Sequence, residues 1–92
     1  GVAYAALGDV PRAIEYHQQA LKIAREIGDR RREGMWLNNL GLLAKEQGDL
    51  AHSRDLWEHA LRIYQAIEDP NAERVRGWLA ALKEADPDVG TE

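Results

Sequence analysis

The strongest constraint on this chain is that it partly repeats itself at a shift of 40 residues. Gly1 falls on Gly41, Gly8-Asp9 on Gly48-Asp49, and Ala20-Leu21 on Ala60-Leu61. Ile23, Ile27, Asp29 and Glu33 fall on Ile63, Ile67, Asp69 and Glu73. The matches sit on turn glycines, capping aspartates and small or branched apolar positions, where a packed helical pair has few alternatives. A period of this length means stacked copies of one supersecondary unit, because one unit alone cannot bury its apolar face.

Each unit reads as two helices. Asp9 is an N-cap and Pro11 sits in the first turn, where its missing N–H costs nothing. That helix runs to about Ile27, with Ala13, Tyr16, His17, Ala20, Leu21, Ala24 and Ile27 spaced by three and four as an inward stripe. Gly28 breaks it and Asp29 caps a second helix over 30–47, with Leu37, Leu40, Leu43 and Ala44 inward. Gly48 and Asp49 repeat the signal for a helix to about Ile67, with Leu56, Trp57, Ala60, Leu61, Tyr64 and Ile67 inward. Asp69-Pro70 starts a last helix to about Ala85 that carries Val75, Trp78, Leu79 and Leu82. Connections of about two residues make neighbouring helices antiparallel. No segment alternates with period two, so the fold class is all-α.

Helical pattern is already running at Gly1, so Gly1 to Leu7 reads as the rear half of a helix. The chain is therefore expected to be a C-terminal piece of a longer protein, with 86–92 as a frayed tail. The expected parts are a partial repeat over 1–29, a complete repeat over 30–69 and a capping helix over 70–85.

Composition removes several function classes. Sixteen acidic against 12 basic residues give a formal charge of −4 over 92 residues, with no general attraction to nucleic acid or anionic membranes. There is no cysteine, hence no disulfide framework and no thiolate metal site. No apolar run approaches membrane-spanning length and no signal-peptide pattern opens the chain, so the expected location is cytoplasmic. Phosphate loops, nucleophile elbows and His-Glu-x-x-His pairs are all missing, so no enzyme activity and no cofactor are expected.

Leu37, Leu40 and Gly41 on one helix, then Ser53, Trp57 and Ala60 on the next, resemble the tetratricopeptide repeat pattern. Ala13, His17 and Ala20 repeat the second half, and Tyr4 holds the aromatic place that Ala44 takes in the next unit. Gly48-Asp49 follows Leu40-Gly41 at the expected interval. The usual period is about 34 residues. The longer period here resembles that of kinesin light chain and of bacterial signalling-regulator arrays, to which Leu37-Asn38-Asn39-Leu40-Gly41 is also similar. A HEAT-like array, with its period of about 40–47 residues, and a plain helical bundle are the architectural alternatives.

The resemblance implies a right-handed superhelical solenoid whose first helices line a concave groove for a protein or peptide. The implied groove residues are Met35, Asn38, Asn39, Leu42 and Lys45. Asn39 is similar to the asparagine that family members use on a peptide backbone, since an amide both donates and accepts. The competing reading of both asparagines is an exposed polar face. The Lys, Asn and Arg set that clamps a terminal carboxylate is missing, with Val2, Asn38, Leu42, Trp78 and Leu82 at the corresponding places. A more apolar ligand, such as an amphipathic helix, is implied instead.

The alternative function is structural: a segment that self-associates and binds no separate ligand. Val2, Tyr4, Leu7, Trp78 and Leu82 are its candidate oligomer or repeat-stacking surface, because a ragged stack leaves apolar faces that a second copy can cover. His52, Asp55 and His59 share a helix face at ligand spacing, but no fourth ligand is near and a surface stripe is the better reading. Arg30, Arg31 and Arg32 read as a solvated helix start balanced by Asp29 and Glu33.

Overall fold

A computed structural model describes residues 10–85 of the chain. The expected positions Val2, Tyr4 and Leu7, and the tail over 86–92, lie outside the described residues. Four α-helices follow one another: α1 (Val10–Ile27), α2 (Arg30–Glu46), α3 (Leu50–Ala66) and α4 (Asn71–Ala85). Among the described residues there is no strand, and each helix packs on its neighbours in sequence.

The three connections share one device. The amides of Asp29, Asp49 and Asp69 each donate five residues back, to the carbonyls of Ala24, Ala44 and Tyr64, at 2.9, 2.9 and 2.8 Å. The residue before each aspartate closes the inner bond: Gly28 to Arg25, Gly48 to Lys45 and Glu68 to Gln65. This is a Schellman stop, which needs a left-handed residue at its centre. Gly28 (φ 74) and Gly48 (φ 85) supply it without strain, and Glu68 (φ 56) does so at a cost. The aspartates then start the following helices. Asp29 Oδ1 accepts from the Arg32 amide and Asp49 Oδ1 from the His52 amide. Asp69 Oδ1 accepts from the Asn71 amide just after Pro70.

The core lies between α2, α3 and α4. Leu37, Trp57, Ile63, Tyr64, Val75 and Leu82 are its fully buried large residues. Helix α2 approaches α3 closely because two of its contact residues lack side chains. A Cβ at Gly34 would lie 2.9 Å from Cε1 of Tyr64, and a Cβ at Gly41 would overlap the Trp57 indole. Ser53 Oγ donates to the Gly41 carbonyl (2.8 Å) and Trp57 Nε1 to the Asn38 carbonyl (3.2 Å), so the same pair is also bonded. Trp78 of α4 rests on Trp57, with ring centroids 5.3 Å apart.

Two inward assignments on α1 are corrected. Tyr16 is 48% exposed and Ile27 69% exposed, and Ile23, the counterpart of Ile63, is 56% exposed where Ile63 is 1%. In the second unit α2 lies over α3 and α4 packs against it. Among the described residues α1 packs mainly on α2. At the other end the outer side of α4 carries Gly77, Ala80 and Ala81, all exposed, where their counterparts Leu37, Leu40 and Gly41 are buried. Small residues there leave little apolar surface at the edge of the stack.

Candidate functional site

The candidate partner surface is the side of α2 turned away from α1 and α3. Met35 and Leu42 are exposed, at 39% and 37%, and Asn39 is half-buried between them. Seven residues separate Met35 from Leu42, two turns that return to one face. The stripe is thus an apolar pair with an amide between. Lys45 is exposed near its C-terminal end.

Asn38 departs from the expected groove set. It is buried, and its carbonyl takes the Trp57 indole bond. Its Oδ1 has no hydrogen-bond partner among the described residues. One residue of helical rotation turns it from the open face toward α3. Leu82 is also buried, and Trp78 half-buried, both packed inside the chain.

The arginines at the start of α2 are engaged. Arg30 meets Glu33 at 2.8 Å, Arg31 meets Asp69 at 2.9 Å and Arg32 meets Asp29 at 3.3 Å. Glu33 is nearly sealed from solvent and also takes Arg25 of α1 at 3.1 Å. A carboxylate so placed ties α1 to α2, which periodicity alone could not foresee. On α1, Tyr16 and His17 gather against Trp36 of α2, with centroids 5.9 and 5.1 Å from it. Burial pushes the His17 imidazole below its ordinary 6.5.

The sequence gives no sign of a second feature, a cleft of about 350 Å³ between α1, α2 and α3. Leu21, Leu37 and Leu40 form its floor, and Ile14 and Leu56 its lips. Floor residues Leu37 and Leu40 lie on roughly the opposite side of α2 from Met35 and Leu42, at about 100° per residue. Among the described residues, no group of three or more ligating side chains is placed to hold a metal ion.

No curated protein and no solved structure matches the chain. The family model for the tetratricopeptide repeat matches residues 1–71. Repeats of this kind generally mediate contacts between proteins and are not catalytic units. The glycine under Trp57, the antiparallel pairs and the matched span agree, and the chain belongs to the tetratricopeptide repeat family.

Proposed function

We propose that this chain is a protein–protein interaction scaffold that holds a peptide or partner protein on the α2 face formed by Met35, Asn39 and Leu42. It is read as a cytoplasmic piece of a larger regulator, built from lengthened 40-residue repeats in a right-handed superhelix. The unit over 30–69 is its complete repeat and 70–85 its cap. The single observation that carries the reading is the pair of exposed apolar side chains flanking a half-buried amide on a helix whose other sides are packed. Apolar anchors with one amide suit an amphipathic helix or mixed peptide, the amide pairing with backbone groups. Asn38 contributes by holding Trp57 through its carbonyl, and Lys45 borders the face.

The test is a displayed-peptide selection against the chain, followed by affinity measurements. Asn39→Ala and Leu42→Glu are expected to weaken the selected peptides about tenfold or more. Selected peptides that bind the Leu42→Glu variant as tightly as the parent would sink the reading.

Self-association is a second reading, favoured by the exposure of Tyr16, Ile23 and Ile27 on α1. Such a cluster on a small chain is a docking surface for another copy. Sedimentation equilibrium is expected to show a dimer that Ile23→Lys dissociates. A monomer at millimolar concentration would exclude it.

A further inference from the structure

The cleft between α1, α2 and α3 has a polarity that its apolar floor conceals. Its polar border is made of Gln18, Arg25, Gln47, His52 and His59. None of the described residues lining it is acidic, although the chain as a whole carries a charge of −4. The helices are antiparallel, so Arg25 near the end of α1 and His59 in the second half of α3 share one end of the cleft. His52, near the start of α3, and Gln47, just past the end of α2, share the other.

Arg25 is the charged side chain that lines this end of the cleft. His59 lies below its ordinary 6.5, first because of burial and then because Arg25, Arg62 and Arg30 surround it. Glu33 is the one carboxylate acting against them there. It is bonded to the Nε edge of Arg25, whose side chain stays 47% exposed. Of these guanidiniums Arg25 is the one that lines the cleft, and it remains partly exposed beside the apolar trough.

We propose that this cleft is a second docking site, for a short acidic segment of a partner protein. One carboxylate side chain of that segment pairs with the Arg25 guanidinium, and an adjacent aliphatic side chain seats between Ile14 and Leu56. The chemistry is complementary on both counts. A guanidinium is the preferred mate of a carboxylate, and the half-buried lips offer apolar area that a side chain can cover. A volume of about 350 Å³ lies at the lower end of ligand-sized clefts, which suits one or two side chains and not a whole helix. The site is independent of the Met35, Asn39 and Leu42 face, since the two lie on roughly opposite sides of α2.

The probe is a fluorescein-labelled synthetic peptide of alanine, leucine and glutamate, with a counterpart in which glutamine replaces every glutamate. Each is titrated into the 92-residue chain while the 15N amide shifts are followed. The acidic peptide is expected to move the amides of Gln18, Arg25 and His59, and the glutamine counterpart to bind at least tenfold more weakly. Arg25→Gln is expected to weaken the acidic peptide about tenfold. Because Arg25 also holds Glu33, Leu56→Glu is the second variant. It leaves that pair intact, removes the apolar lip and sets a carboxylate there, and is expected to weaken both peptides, the acidic one more. Equal affinity for both peptides, shifts centred on Met35 and Leu42, or no saturable shift would each overturn the proposal.

Discussion

The Trp57 indole lies against the bare Cα of Gly41, in the space that any side chain at that position would fill. Both residues are buried, and Trp57 is further held by its bond to the Asn38 carbonyl and by Trp78 on its other side. The ring therefore has no room to retreat. Gly41→Ala is expected to destabilise the chain by roughly 2–3 kcal/mol, the cost of overpacking, despite alanine's better helix propensity. Gly77 is the internal control. It is a mid-helix glycine with open space around its Cα, so Gly77→Ala should stabilise by about 0.5–1 kcal/mol. Urea denaturation of both variants checks the opposite signs.

Glu68 occupies the place of Gly28 and Gly48 in the third Schellman stop, with φ 56. A left-handed conformation costs an ordinary L-residue roughly 1–2 kcal/mol. Glycine removes that strain and gives back part of it in unfolded-state entropy. Glu68→Gly is accordingly expected to raise the thermal midpoint, with a net gain of about 0.5–1 kcal/mol. An unchanged or lower midpoint by calorimetry would mean that the side chain has a compensating role.

Asp69 does two jobs with two oxygens. One accepts from the Asn71 amide and the other takes the Arg31 guanidinium, each at 2.9 Å. Asp69→Ala loses both and is expected to cost roughly 2–3 kcal/mol. Asp69→Asn keeps the helix cap and loses the ion pair, for about 1 kcal/mol. The pair is salt-sensitive and the cap is not. The gap between parent and Asp69→Asn should therefore narrow in high salt, while the gap between the two variants persists.

His17 and His59 both sit below their ordinary 6.5, chiefly through burial. In the unfolded chain they take up protons near 6.5, and in the folded chain only at lower pH. Their contribution to stability is therefore fully present above 6.5. It is lost as pH falls through the lower folded values. The urea midpoint is expected to drop between pH 7.5 and 5.5, and less steeply in the double variant His17→Phe, His59→Gln. Equal slopes would assign the acid sensitivity elsewhere.

The helix framework was legible because its signals are local. Gly28, Gly48, Pro70 and the three capping aspartates mark where each helix stops or starts, and the observed helices end within about a residue of those marks. Gly41 could be read as a close-contact position because the bulky Trp57 stands at the matching place on the next helix. What periodicity does not contain is how widely each stripe is covered. It placed Tyr16 and Ile27 inward because they share a face with Ala13 and Ala24, yet coverage depends on how many helices surround α1. Asn38 and Asn39 are adjacent and chemically identical, and one step of 100° buries the first while leaving the second on the open side. The cleft was invisible for the same reason. It is assembled from three helices, and no single stretch of sequence carries its outline.

The outer faces of α1 and α4 are chemically unequal, and that bears on the self-association proposed above. A filament needs two complementary surfaces, so that each added copy exposes a fresh acceptor. Here α1 presents Tyr16, Ile23 and Ile27, but the far side of α4 offers only Gly77, Ala80 and Ala81 among charged neighbours. An apolar edge that meets its own kind closes on a twofold axis and leaves nothing to extend. If the chain self-associates as proposed, growth through these faces would therefore end at two.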